Sequence, residues 1–486
     1  MASKVEEFLT PMKLRTARVA FSLILGFAPA FQAAARTVET PVSPVPGVVS
    51  DRIPCTVDPT QSYAIYLPST YTPLKRWPII YAFDPEARGR VPVNLYKEVA
   101  EKYGYIIAGS NNSRNFSATD SSKGATAMWS DTHIRLSLDD RRTYTTGFSG
   151  GARMAGLVAS GCRQCQIAGV IAHGAGYPSN RGPSEKDRIP YFLAVGDRDF
   201  NWPEIIGIRR EREDLGMPYR VRVFQGPHRW APPEVFEDAI EWMQLKAMQS
   251  GSLAHDGHFL ESLYHRREAE ASDAEKRSDA IAELNAYRSL VSDFSGLEEV
   301  SEYEKKLIAL KSSPSLKEAL KKEQGQITTQ AELTGEIASK LNALADIDND
   351  EQRGTLSAAV SEQMRRLKDY GAHSKLETQR LVFLRAYSDL WAHGIEAGQA
   401  EFESRHFERA ELYFQLMDEI DDDPWPALLL AETRTAMGKK KQALKDLREA
   451  IRRGLRNPAI LEEDPNLRPL DADPEFKKLL VELKSK

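Results

Sequence analysis

The stretch Thr143-Tyr144-Thr145-Thr146-Gly147-Phe148-Ser149-Gly150-Gly151-Ala152-Arg153-Met154 decides how this chain is read. A β-branched run leads into Gly147-x-Ser149-x-Gly151, and a helix-forming segment rich in small residues follows. The pattern predicts a serine lifted onto a sharp strand-to-helix turn, with glycines where a Cβ would collide with the neighbouring strand or helix. The helix N-terminus then aims backbone N–H groups at negative charge building up beside the hydroxyl. The five-residue pattern alone is weak, because glycine makes up about 7% of an ordinary chain. Its setting gives it meaning.

On both sides of this turn, from about residue 50 to 250, strand candidates alternate with amphipathic segments. The strand candidates are 62–67, 78–83, 104–108, 143–147, 168–173, 191–196 and 219–225. The central ones are almost continuously apolar, as parallel strands covered on both faces must be. This alternation predicts an α/β fold with a doubly wound, mostly parallel sheet over residues 51–250. Beyond Met248 the strand signals stop, and Ala, Leu, Glu, Lys and Arg recur at helical spacing. One apolar seam runs Leu290, Phe294, Leu297, Leu307, Leu310, and Ser313-Pro314 reads as an N-cap with proline at the first helical position. An all-α region is therefore expected over 255–394. Over 395–486, Ala410, Phe414 and Met417 recur as Ala443, Leu447 and Ala450, thirty-three residues later. This is similar to the tetratricopeptide pattern of helical hairpins, which present concave surfaces to other proteins.

The N-terminus reads as a targeting segment. Lys13, Arg15 and Arg18 precede an apolar run at 19–30, and Ala33-Ala34-Ala35 offers small residues for cleavage before Arg36. The run is shorter than the ~20 residues of a spanning helix. Residues 1–35 are expected to be a signal peptide and 36–50 a proline-rich linker, giving an exported, periplasmic or secreted protein with no membrane contact after cleavage. A net charge of -5 over 486 residues gives no electrostatic reason to expect nucleic acid. Of three cysteines, Cys55 is expected to bond one of Cys162 and Cys165, as a staple in an oxidising compartment.

Acyl transfer by a serine needs a base, a carboxylate to hold that base, and donors for the oxyanion. The apolar strand 191–196 is followed at once by Asp197-Arg198-Asp199, and the strand 219–225 by Gly226-Pro227-His228-Arg229-Trp230. Of the α/β region's histidines, His133, His173 and His228, only the last follows the acid candidates. Asp199 is preferred as the acid, with Asp197 the alternative, because Gly196-x-x-Asp199 leaves one turn to bring a carboxylate round to the imidazole.

These residues, with Gly147-Phe148-Ser149-Gly150-Gly151-Ala152, carry a resemblance over about two-fifths of the chain. Residues 50–250 resemble an exported bacterial serine hydrolase of the α/β-hydrolase superfamily, of the dienelactone-hydrolase and esterase kind. The resemblance implies Ser149 as nucleophile, His228 as base, Asp199 as acid, and the Gly150 N–H in the oxyanion hole. Where many relatives carry His-Gly for the second donor, this chain runs Phe83-Asp84-Pro85. Proline has no N–H, so Asp84 or Phe83 must donate, and Asp84 is the choice. Asn111, His173 and Trp230 are expected to meet substrate. No cofactor is needed, and neither Asp346-x-Asp348-x-Asp350 nor His255-Asp256-Gly257-His258 has a full set of metal ligands. Little sequence separates the strands, so a shallow, open site is expected, suited to small or polymer-attached carboxylic esters. A peptidase of the same superfamily is one alternative. A non-catalytic scaffold, binding proteins through its helical repeats, is the other.

Overall fold

Each apolar run of the first half becomes a strand of one eight-stranded sheet. The structure, a computed structural model, describes residues 43–178, 188–462 and 464–485. The expected signal segment lies outside them. The strands are β1 (Ser50–Pro54), β2 (Ser62–Tyr66), β3 (Trp77–Phe83), β4 (Ile106–Ser110), β5 (Leu138–Phe148), β6 (Ile167–His173), β7 (Tyr191–Gly196) and β8 (Tyr219–Phe224). Their order across the sheet is β1-β2-β4-β3-β5-β6-β7-β8. Only the pairs β1/β2 and β2/β4 are antiparallel; the rest are parallel. β1 was not foreseen, because Ser-Asp-Arg-Ile-Pro buries Ile53 alone, and such a pattern suits only an edge. β5 starts five residues earlier than expected, where Asp139 to Arg142 hide the strand period under charge.

The sheet carries helices on both faces. They are α1 (Arg90–Tyr103), α2 (Ala118–Arg135), α3 (Gly150–Gly161), α4 (Trp202–Asp214) and α5 (Pro233–Gln249). Successive β3 residues divide between two cores: Ile79, Tyr81 and Phe83 pack with Met128, Ala152 and Ile205, and Ile80 and Ala82 with Tyr96, Phe236 and Ile240. This is the doubly wound sheet expected from the sequence.

The remaining described elements are helices: α6 (Gly257–Arg277), α7 (Ala280–Phe294), α8 (Ser301–Lys311), α9 (Pro314–Ala343), α10 (Asp350–His373), α11 (Glu377–Glu403), α12 (Phe407–Ile420), α13 (Pro424–Ala436), α14 (Lys440–Arg453), α15 (Ala459–Glu462) and α16 (Pro474–Ser485). Ser313 caps α9 by accepting from Leu316 N at 3.1 Å. Residue 395, where the repeats were expected to begin, lies inside α11. The recurring triplets are all buried. Phe414 and Met417 press against Gly398 and Gly394 of α11, where a Cβ would approach their side chains to 2.5 and 2.6 Å. No described helix is long and apolar enough to cross a membrane.

The cysteine expectation is corrected. Cys162 and Cys165 bond each other, and Cys55 is a free, buried thiol. The turn Arg163–Cys165 between α3 and β6 sets the two Cα atoms 5.4 Å apart, within disulfide range. Burial and the nearby Asp131 push the Cys55 thiol up to about 12, so it stays protonated.

Side chains of α6 and α7 reach the β8 edge: Arg222 of β8 donates to Glu270 of α6 at 2.9 Å, and Arg220 to Ser289 of α7 at 2.6 Å. Buried Asp293 of α7 holds the seam. It accepts from Trp242 Nε1 at 2.7 Å and Arg220 Nη1 at 3.1 Å, and Lys246 Nζ lies 3.0 Å away. Burial alone would raise its carboxyl, but Lys246 and Arg220 together hold it below the usual range. Replacing it by alanine leaves buried Trp242 Nε1 without its acceptor, takes Lys246's counter-charge, and leaves Arg220 only the longer carboxylate contact to Asp238 at 3.4 Å and Glu270 beyond it. Asp293→Ala is therefore expected to lower unfolding free energy by about 3 kcal/mol, read from urea melts at pH 7. The difference between variant and wild type should shrink on acidification, as the wild-type carboxylate protonates.

Candidate active site

Ser149 stands between β5 and α3 with φ 53°, a left-handed value that a non-glycine residue holds only when its surroundings over-determine it. Those surroundings are backbone. A Cβ on Gly147 would lie 2.0 Å from the Gly151 carbonyl oxygen, and one on Gly151 would lie 2.0 Å from that of Phe83. Both glycines are required by close approach. The turn is pinned by Ser149 N donating to the His173 carbonyl at 2.9 Å, and by Thr146 Oγ1 donating to that of Ile171 at 2.9 Å.

β7 and β8 bring up the other two side chains. Asp199 is fully buried, and its Oδ1 accepts from Asn201 N and from His228 Nδ1, both at 2.9 Å. A carboxylate only accepts, so Nδ1 carries a proton, and in the neutral imidazole Nε2 is then the nitrogen that offers a lone pair to a hydroxyl. The imidazole lies between the rings of Phe148 and Phe200, at 4.5 and 4.3 Å. Asp197 serves the backbone instead, for its Oδ1 accepts from Gly226 N at 2.9 Å and ties the exits of β7 and β8 together. Ser149 and His228 line one cavity of about 660 Å³. No direct hydrogen bond joins them among the described residues, and such contacts tighten when substrate is bound.

The other expected site residues fall differently. Asp84 is buried, with its carboxylate held by Arg88 Nε at 2.9 Å and Trp230 Nε1 at 2.9 Å, turned away from the cavity. Asp84 N still lies at the start of α3, since a Cβ on Gly151, the residue after Gly150, would sit 3.3 Å from it. Asn111, His173 and Trp230 are not in the cavity wall. Asn111 Nδ2 donates to Asp51 O at 3.1 Å, at the antiparallel edge. His173 is buried among Tyr96, Trp230 and Phe236. Trp230 is engaged by Asp84. Asn111 and His173 stand at strand ends, yet neither side chain turns to the cavity, and Trp230, in the loop beyond β8, spends its N–H on Asp84.

Sequence reasoning missed Asn115 and Phe116, which line the cavity beside Ser149. It also missed the far wall. Trp391, Ile395 and Phe402 of α11, Phe414 of α12, and Trp425 of α13 line the same cavity. The site is a cleft rather than shallow and open. No insertion between strands supplies this wall; it comes from helices more than two hundred residues downstream of the serine.

No protein-family model matches the chain, and no curated protein matches its sequence. Several solved structures are similar to part of it. A ferulic acid esterase is 16% identical with a TM-score of 0.32, covering 40% of this chain and 94% of its own. An S-formylglutathione hydrolase from Staphylococcus aureus is 12% identical, TM-score 0.32, covering 42% and 99%. A hyperthermophilic esterase from the archaeon Pyrobaculum calidifontis is 13% identical, TM-score 0.32, covering 43% and 88%.

The buried His173 has a measurable consequence. Burial lowers its pKa to about 3, with Nδ1 unbonded, so the folded protein keeps it neutral. An unfolded histidine titrates near 6.5, so below that pH the unfolded chain takes up a proton the folded one refuses. Stability is full above about pH 6.5 and falls as pH drops toward 3, by roughly 2 kcal/mol at pH 5 from this residue. His173→Gln should flatten the stability curve between pH 7 and 5 by that amount, measured by urea melts at each pH.

Proposed function

We propose that this chain is an exported serine hydrolase that cleaves carboxylic esters through an acyl-enzyme. The observation that carries the reading is the 2.9 Å Asp199–His228 contact beside a left-handed serine in the same cavity. Ser149 Oγ attacks the acyl carbonyl while His228 Nε2 takes its proton and returns it to the leaving alcohol. Water then attacks the acyl-enzyme by the same route in reverse. Asp199 fixes the imidazole tautomer. The Gly150 and Asp84 N–H groups receive the oxyanion, with α3 adding its N-terminal dipole. Export rests on the basic and apolar N-terminal pattern, and the Cys162–Cys165 disulfide suits an oxidising compartment. The hairpins α11–α12 and α13–α14 are read as tetratricopeptide-like repeats whose inner surface narrows the substrate cleft.

The mature protein is expected to be labelled by a fluorophosphonate probe, and Ser149→Ala to be blank. A well-folded wild type that stays unlabelled would leave the scaffold reading in place. Trp391→Ala tests the far wall. It should shift the kcat/KM ratio between p-nitrophenyl octanoate and acetate by about fivefold or more. An unchanged ratio would put that wall outside the substrate's path.

A further inference from the structure

The loop that carries the acid is gripped from outside the hydrolase half. Arg385 of α11 is 2% exposed, and its Nε donates to the Asp197 carbonyl at 2.7 Å. Its guanidinium lies over the Trp202 ring, 4.0 Å from the centroid, at the far end of the same loop. Between these points Gln330 of α9, itself buried, donates from Nε2 to the Phe200 carbonyl at 2.9 Å. Two helices of the second half therefore fix the loop at three successive places around Asp199. One oxygen of that carboxylate, Oδ2, is buried with no hydrogen bond among the described residues. A buried carboxylate so placed is costly unless a cation stands near. Burial brings Arg385 down to about 10, while Asp197 and Asp199 both favour its charged form.

Resting on the triad reading above, we propose that Arg385 is a positioning residue of the serine site. It holds the turn from Asp197 to Trp202 so that Asp199 faces His228, and it supplies the positive charge that side of the dyad lacks. Arg385 touches neither Ser149 nor substrate; it acts through Asp199. The helical half is then part of the catalytic apparatus, and the hydrolase half would have a looser acid loop without it.

Arg385 is surrounded by other charges. On the acid loop are Asp197, Arg198 and Asp199. On its own helix Glu377 acts on Arg198, Arg380 on Asp197, and Asp389, pushed up to about 6 by burial, hydrogen-bonds Gln330. Glu323 of α9 is matched to Arg209 and Arg210 of α4. Against His228 stands Asp199, and the cavity wall carries Glu86 and Arg114 from the α/β half with Glu396, Glu403, Asp421, Asp423 and Glu432 from the helical half. Removing the Arg385 charge leaves the carboxylates of the acid loop less compensated, which favours the imidazolium form of His228.

The test uses the full mature chain, p-nitrophenyl acetate, and active sites counted by fluorophosphonate titration. Arg385→Met should lower kcat per titrated site about tenfold or more while KM changes less than about twofold. The acid limb of its kcat/KM profile should move upward by about half a pH unit. Arg385→Lys keeps the charge and loses the fork geometry, so the limb should stay in place while kcat falls several-fold. Should Arg385→Met not fold, Arg385→Lys and Gln330→Leu carry the test through kcat per site. Wild-type kcat per site in folded variants overturns the proposal, as does a loss confined to the number of titratable sites. A wild type that takes no fluorophosphonate fails earlier and refutes the hydrolase reading itself.

Discussion

Backbone packed against backbone at the C-terminal edge of the sheet is the constraint on which the rest depends. The Gly151 α-carbon lies against the Phe83 carbonyl, and Gly147 against Gly151, with no room for a Cβ at either place. This contact forces Ser149 into its left-handed conformation and starts α3 directly behind it. It also sets the height of the serine above β5, which decides what can reach it. Only strand ends on the same edge qualify, and β7 and β8 supply Asp199 and His228 there. A larger side chain at either glycine would move the serine and the helix N-terminus together.

A second constraint is polar. Along α9 the buried positions Leu316, Glu323, Gln330 and Ile337 recur every seven residues, a stripe normally filled by apolar side chains. The two polar members sit where α9 crosses the α/β half, and each has a partner there: Arg209 for Glu323, the Phe200 carbonyl for Gln330. Arg385 on α11 is a third. Burying such groups stabilises little by itself, but leaving any one unpaired is expensive, so the docking geometry is strongly specified. The same geometry brings the aromatic side chains of α11 and α13 over the serine. Register and cleft are set by one group of contacts.

Much of the fold was legible because it depends on local period. The near-continuous apolar runs at β3, β4, β6 and β7 announce buried parallel strands, and Ser313-Pro314 announces the start of α9 almost to the residue. Legibility failed where charge masked the period, at the beginning of β5, or where an edge strand buried one side chain, at β1. In the site, the serine turn and the pairing of Asp199 with His228 followed from glycine spacing and strand ends. His173 and Asn111 share the strand-end position yet face elsewhere, because being at the end of a strand does not say which way a side chain turns. The disulfide went to the nearer partner, since closing a three-residue loop costs the chain little.

The sequence by itself determined the sheet, the all-helical second half and the turn that presents Ser149, because these rest on side-chain period and glycine sterics within a few residues. Tertiary structure alone decided that Asp84 turns its carboxylate to Arg88 and Trp230, that Arg385 and Gln330 hold the loop of Asp199, and that the helical half closes one side of the cleft. Those outcomes depend on contacts between residues far apart in the chain, such as Arg385 on Asp197. No local pattern encodes them: a buried arginine or glutamine looks the same in sequence whichever backbone carbonyl it finds.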